Sequence, residues 1–379
     1  MEHFSAVLHI TKYKDEIIYI NAGLMYIQGT LPISYNYEHP PLAKYIIGLA
    51  AMYNYLRIIL YIFCFLTLIA YYMVVYVLCK NKFLAYLSTS ILTFDTLYIN
   101  TYRFALLDPI VACFTLWAMY FGYRYLEFQD IKFAIISHVI WGLALASKLS
   151  AVYIFISWII ICLYISLSKD GILRGITKFL ALSLITALVY VLTYIQELIY
   201  GGLGVLIQHH VKMMEYMMWR HSPSLPLIAN GFLTLMFKIS VWNYYTPITI
   251  YVENNTIVSI CGIETAKLIG RYIVFKPGMG SPIWHLFIFL LLLKSIKLFR
   301  KPKTYSEILL LSSSWSSLLL LIHGDIDWYY LLPILFLYMI STYKTRMKFI
   351  VLLLIASMLY YILFILGIIP FKTSIIIKQ

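Results

Sequence analysis

The chain has 379 residues, of which 62% are hydrophobic and 12% charged, and its mean hydropathy is +0.85. That excludes an ordinary soluble domain, because too little polar surface is left to face water. A formal net charge of +13 would suit nucleic-acid binding, but the basic residues sit in short loops between apolar runs, so nucleic acid is excluded as a partner.

Residues 1–14 carry two His and two Lys around a short apolar run, which is not the pattern of a cleavable secretory signal. Residues 1–56 form a polar first loop containing Asp15-Glu16 and Glu38-His39-Pro40-Pro41-Leu42-Ala43-Lys44. Ten apolar stretches follow that are suited to membrane helices: 57–79, 83–101, 104–123, 133–146, 149–167, 175–199, 282–299, 305–322, 328–343 and 348–368. The fourth ends at Ser147-Lys148, so 133–167 reads as two helices or one broken one. The fold class is therefore an all-α polytopic membrane protein of about ten spans. It divides into an N-terminal module (1–199), an external region (200–281) and a C-terminal four-helix module (282–379).

Within 200–281, Gly204–Arg220 predicts an amphipathic interfacial helix. The β-branched residues of Thr249–Cys261 predict a small hairpin. Asn254-Asn255-Thr256 is a glycosylation sequon, a weak three-residue pattern. The cysteines (Cys64, Cys79, Cys113, Cys162 and Cys261) mostly lie in apolar runs and have no metal-type spacing, so they read as small core residues.

Orientation follows from the basic loops. With residues 1–56 outside, about half of the 29 basic residues fall in inside loops: Lys80 and Lys82; Arg124 and Lys132; Lys169, Arg174 and Lys178; Lys294, Lys297, Arg300, Lys301 and Lys303; Lys344, Arg346 and Lys348. The opposing short turns hold only Arg103 and Lys148. The positive-inside rule then places the first loop and the 200–281 region on the non-cytoplasmic face.

Charged groups at a membrane edge are costly and mark function. From Asp15-Glu16 through Gln28-Gly29 to Glu38-His39-Pro40-Pro41-Leu42-Ala43-Lys44, the sequence resembles the first external loop of protein O-mannosyltransferases, members of the GT-C superfamily. It is also similar to the lipid A aminoarabinose transferase branch. Further resemblances follow in order: Leu56-Arg57, Arg103 to Asp108-Pro109, Gly142 to Lys148, Gly278 to Trp284 (with Ser281 where the family has Asn), and Trp328 to Pro333. The set covers nearly the whole chain. In two respects the sequence departs from the family. Only fourteen residues precede Asp15, so the family's first helix is absent or lost to a late start, and the large soluble insert of eukaryotic relatives is missing. That implies the prokaryotic, archaeal kind.

The resemblance implies a GT-C-type bundle, whose external loops carry the site, that moves a sugar, mannose first, from a dolichyl or polyprenyl phosphate to an acceptor hydroxyl with inversion. The acceptor is protein Ser/Thr, or alternatively a glycan or lipid. Such chemistry needs a carboxylate base, cations on the leaving phosphate and a boundary between water and lipid. Asp15 is the candidate base, by resemblance and because Glu16 beside it would raise its pKa; Glu16 orients the acceptor or the loop. The alternative is that this pair only favours a helix start.

The expected phosphate ligands are Arg57, Lys148, His39, Lys44 and Arg103, against snorkelling for Lys44 and Arg57 and a plain loop lysine for Lys148. Arg103 and Asp108 read equally as a mutual pair, and Asp108-Pro109 as a helix cap with Pro at the first position. Glu38, His209, His210 and His221 are candidates for positioning acceptor, sugar or an ion. No cofactor is required, but a divalent cation is admitted, with Glu38 and His209 as weak ligands. Vicinal His209 and His210 diverge by about 100° on a helix, so they do not form a bidentate site. Met213, Met214, Met217 and Met218 read as a lipid-facing stripe. A secondary transporter is the alternative of another class, disfavoured because no internal repeat is visible and the acids gather in one early loop. A non-catalytic scaffold is disfavoured by the intact acidic pair.

Overall fold

The computed structural model describes residues 14–220, 229, 231–233, 235, 237, 239–245, 249–253, 256–261, 268–275, 280–281, 283–300, 304–320, 331–370 and 373–378. Helices dominate. The first loop contains two, α1 (Lys14–Ile27) and α2 (Leu42–Met52). The bundle continues with α3 (Leu56–Cys79), α4 (Lys82–Thr93), α5 (Thr96–Thr101), α6 (Leu107–Phe128), α7 (Ile131–Ser147), α8 (Val152–Asp170) and α9 (Ile172–Leu192). After α10 (Ile195–Arg220) and the strands come α11 (Trp284–Arg300), α12 (Tyr305–Leu318), α13 (Leu331–Thr342) and α14 (Met347–Ile365).

Among the described residues most of each predicted stretch is helix, with breaks inside 83–101 and 175–199. Four helical stretches among the described residues, Leu56–Cys79, Leu149–Ser168, Ile172–Leu192 and Met347–Ile365, are long and apolar enough to cross a membrane, and shorter apolar helices surround them. The fold is a polytopic helical bundle suited to a membrane. At 1.5 Å per residue the 24-residue α3 is ~36 Å long, enough to span a hydrocarbon core of about 30 Å.

One expected span, 83–101, is instead two helices. Asp95 breaks it, its side chain accepting from the amides of Leu97 (2.9 Å) and Tyr98 (3.2 Å) and so capping α5. The 133–167 stretch is two helices, joined through Lys148 and a 3-10 turn at Leu149–Ala151.

The bundle is layered around α13, all of whose residues are buried; a helix apolar on every side belongs at a centre. It packs on α11 and α12, while α6 joins α3 to α7 and α7 joins α6 to α9. Lipid supplies no hydrophobic force between spans, so close packing and interhelical hydrogen bonds hold them, at about 0.6 kcal/mol per bond. Examples are Tyr71 Oη to Ser88 Oγ (2.8 Å), Ser88 Oγ to Thr342 Oγ1 (2.7 Å) and Tyr102 Oη to Thr67 Oγ1 (2.7 Å). In the first loop, α1 crosses α2 where Gly23 meets Gly48. A Cβ on Gly23 would lie 2.1 Å from the Lys44 carbonyl oxygen, so only glycine allows this approach.

In the 200–281 region the expected amphipathic segment is the second part of α10, after a break at Gly202 (φ 69°). Leu206, His209 and Met213 make its buried stripe. The predicted hairpin is present as β2 (Thr249–Glu253) antiparallel to β3 (Thr256–Cys261), Glu253 opposite Thr256. A three-stranded antiparallel sheet runs in the order β1 (Ile239–Tyr245), β4 (Leu268–Phe275), β5 (Thr373–Lys378), which pairs this region with the C-terminal segment; Ile239 faces Phe275, and Gly270 faces Lys378. Asn254 and Asn255 lie outside the described residues.

Candidate active site at the first loop

Asp15 and Glu16 occupy the first turn of α1, where carboxylates suit the helix dipole. Glu16 is completely buried, and its Oε1 is 2.7 Å from Arg57 Nη1 at the start of α3. The same oxygen accepts from the Ala105 amide (3.2 Å), and the Arg57 guanidinium also donates to the Arg103 carbonyl (2.5 Å). Acid and cation from the first loop thus converge on the short segment between α5 and α6. Among the described residues Glu16 Oε2 is buried with no hydrogen-bond partner, an acceptor left for a further polar group. Asp15, beside it, is partly exposed.

Arg103 donates through Nη1 to Asn100 Oδ1 (3.3 Å). Asp108 does not pair with Arg103, and it is not a cap: Leu106 holds the cap position, and Asp108 and Pro109 lie inside the first turn of α6. Asp108 instead takes the Lys148 ammonium on both carboxylate oxygens at 2.8 Å, both residues being buried. Lys148 is thus a fixed cation rather than a loop lysine, because a buried charge persists only when paired.

Lys44 is fully buried at 0% exposure, which rules out snorkelling. Its ammonium donates to the His39 carbonyl (2.8 Å), the Asn36 carbonyl and Tyr26 Oη (3.4 Å), pinning the loop that Pro40-Pro41 stiffens. Burial pushes the Lys44 ammonium down to about 7, with Glu38 and Glu197 pulling it back up. The proton therefore binds the unfolded chain, with its ordinary pKa near 10.5, more tightly than the folded one, and Lys44 makes stability rise with pH between about 7 and 10.5. In Lys44→Met that rise is expected to vanish. Wild-type apparent melting temperature should climb from pH 7 to pH 9, an increment of about 2 kcal/mol at 1.36 kcal/mol per pKa unit. Parallel pH profiles for the two proteins would refute it.

Glu38 accepts from Asn36 Nδ2 (2.9 Å), and the buried His39 ring lies 6.3 Å from the Tyr19 ring. His209, on the buried stripe of α10, bonds Glu197 Oε1 through Nδ1 (2.7 Å) and the Tyr37 carbonyl through Nε2 (3.1 Å). His210 reaches away to Tyr190 Oη (2.9 Å), as the expected divergence requires. His221 lies outside the described residues. Among the described residues, no three His, Cys, Asp or Glu gather to hold a metal ion.

Glu197 was not foreseen. It is fully buried, and its Oε1 takes the Ile33 amide (2.6 Å) as well as His209, so it ties the first loop to α10. An acid inside an apolar stretch (175–199) was the available signal. Beside it opens a cleft of about 850 Å³ lined by Tyr26, Leu42, Tyr45, Leu192, Gln196 and Ile199. Tyr45 Oη donates to Gln196 Oε1 (2.6 Å), while Leu192 and Ile199 on the rim are 60% and 68% exposed. The cleft therefore grades from polar to apolar.

Residues 38–195 match the family model described as dolichyl-phosphate-mannose-protein mannosyltransferase. Over this stretch, under half of its length, the chain is similar to that family. The match takes in Glu38, His39, Lys44, Arg57, Arg103 and Lys148, in agreement with the resemblance that the ordered motifs carry. Among solved structures the chain is similar to the archaeal oligosaccharyltransferase AglB from Archaeoglobus fulgidus in complex with an inhibitory peptide and a dolichol-phosphate, at 12% identity and a TM-score of 0.47 over 87% of this chain and 48% of that one. The chain spans about half the length of that protein. No curated protein matches it.

Proposed function

We propose that the protein is an integral-membrane glycosyltransferase that takes a sugar from a dolichyl or polyprenyl phosphate and passes it, with inversion, to an acceptor hydroxyl. Mannose and protein Ser/Thr are the proposed sugar and acceptor. The observation that carries this reading is the ion pair of buried Glu16 with partly exposed Arg57, which brings a first-loop acid and a cation to one point at the end of the bundle. Asp15 takes the acceptor proton. Glu16 holds Arg57, and Arg57 with Arg103 steadies the phosphate as its negative charge grows. Lys148, held by Asp108, adds a fixed positive field to the same end of α6. The cleft beside Gln196 gives an isoprenoid chain an apolar way in from the bilayer.

Membranes containing the protein, incubated with radiolabelled polyprenyl-phosphate mannose and candidate acceptors, are expected to release label into protein in an alkali-labile linkage. Label in a glycan or lipid would move the acceptor class. No transfer from any polyprenyl-phosphate sugar would refute the reading.

The site is proposed to face the non-cytoplasmic side. Cysteines introduced at the exposed Asn54 and Lys132 test this: an impermeant thiol reagent applied to intact cells should label the first and spare the second. The reverse pattern overturns the orientation.

A further inference from the structure

The end of the bundle opposite the candidate site contains a second cleft, of about 650 Å³, lined by Lys80, Glu127, Thr304, Tyr305, Ile308 and Tyr343 among others. Nothing in the proposed reaction uses it. Its polar wall is built from helix ends. Lys80 stands in the left-handed conformation that closes α3 (φ 54°), and its ammonium meets Glu127 on the last turn of α6. Arg124 contacts the other oxygen of the same carboxylate at 3.2 Å. Across the cleft, Thr304 caps α12 through a reciprocal box with Glu307: its hydroxyl accepts from the Glu307 amide at 3.2 Å, and its own amide donates to Glu307 Oε2 at 3.1 Å. Glu307 also takes the Lys344 ammonium and Tyr343 Oη (2.7 Å). The amides of Tyr305 and Ser306, in the first turn of α12, have no carbonyl within their own helix to bond.

Three cations, Lys80, Arg124 and Lys344, thus face two carboxylates, Glu127 and Glu307, leaving a positive excess. The Lys80 and Lys344 side chains are 58% and 49% exposed, so their charges remain within reach of an entering anion. The rest of the lining is apolar, with the buried Val77 and Leu126 and Ile308, which is 40% exposed. A positive lip over a greasy flank, at the bundle end where the basic loops gather, complements an amphiphile with an anionic head. A soluble anion would have no use for the apolar wall.

We propose that this cleft holds the phosphodiester headgroup of an anionic phospholipid, with an acyl chain lying along the Ile308 side. Lys80 and Lys344 flank the phosphate, and the first turn of α12 presents its amides to it.

The test uses the full chain, purified in detergent and stripped of lipid, with its apparent melting temperature followed against added phosphatidylglycerol, phosphatidylcholine or inorganic phosphate. Phosphatidylglycerol should raise it saturably, and the other two should not. The double variant Lys80→Gln/Lys344→Gln should need at least tenfold more phosphatidylglycerol for the same rise. Ser306→Glu provides a second variant: an acid in the first turn favours the helix yet repels an anion, so the folded variant should lose the same response. Equal responses to the two lipids, a rise with inorganic phosphate alone, or a wild-type phosphatidylglycerol response in either variant would each overturn the proposal.

Discussion

Asp15→Asn is expected to lower sugar transfer by about 10²–10⁴-fold, the range lost with a general base, while the apparent melting temperature and the yield of folded protein stay within error of wild type. Asp15 is partly exposed in the first turn of α1, so an isosteric amide there costs little structure. Its neighbour behaves differently. Glu16→Gln leaves Arg57, whose side chain is 33% exposed, facing a neutral partner, so the cost falls below the about 3–5 kcal/mol of breaking a fully buried pair but remains a loss. Glu16→Gln should therefore lose both melting temperature and transfer, whereas Asp15→Asn loses transfer alone. Arg57→Ala adds a third signature, a raised demand for the donor, because the proposed phosphate ligand is gone. Transfer by Asp15→Asn at the wild-type rate would remove it as the base, and the unpartnered Glu16 Oε2 would then be the next oxygen to examine. Purified membranes with matched protein levels give all three readouts in one assay.

The bundle itself was readable because apolar run length is a local property, and the described part of every expected stretch is mostly helical. So was the general place of chemistry, since an acidic pair in a first loop has few structural uses. What stayed hidden was pairing. Asp108 and Lys148 meet because α6 and α7 form an antiparallel hairpin turning at Gln129-Asp130, which brings the far ends of the two helices together. Reading along the chain instead favours Arg103, only five residues away. Lys44 read as a phosphate ligand or a snorkelling lysine, but its acceptors include backbone carbonyls that exist as a cage only once Pro40-Pro41 has turned the loop. Glu197 and Asp95 were passed over inside apolar stretches. An ionisable residue in such a stretch demands a partner, and that demand was visible, though the partners themselves, Ile33 for one and Ser281 for the other, lie far away in sequence.

Asp95 is where the largest loss of stability is expected. Its side chain is fully buried at the α4–α5 junction and collects five donors. Oδ1 takes the Leu97 and Tyr98 amides; Oδ2 takes the Ser281 amide (3.1 Å), Trp284 Nε1 (2.9 Å) and Tyr338 Oη (2.7 Å). One carboxylate therefore fastens the N-terminal module to α11 and to the central α13. The approach of Trp284 depends on Gly280 (φ 74°), where a Cβ would fall 1.7 Å from the indole. Asp95→Ala removes a cap worth about 0.5–2 kcal/mol and strands three buried donors at about 1–3 kcal/mol each, a loss large against the ordinary stability of a domain of about 5–15 kcal/mol. Asp95→Asn discriminates further. The amide can keep one oxygen toward Leu97 and Tyr98, but its NH₂ then points at three donors, so the nominally conservative change should be nearly as damaging as alanine. Both variants should run as aggregated material in size exclusion, or melt many degrees below wild type. An asparagine variant with wild-type melting would mean that the three donors find other acceptors and that Asp95 is only a helix cap.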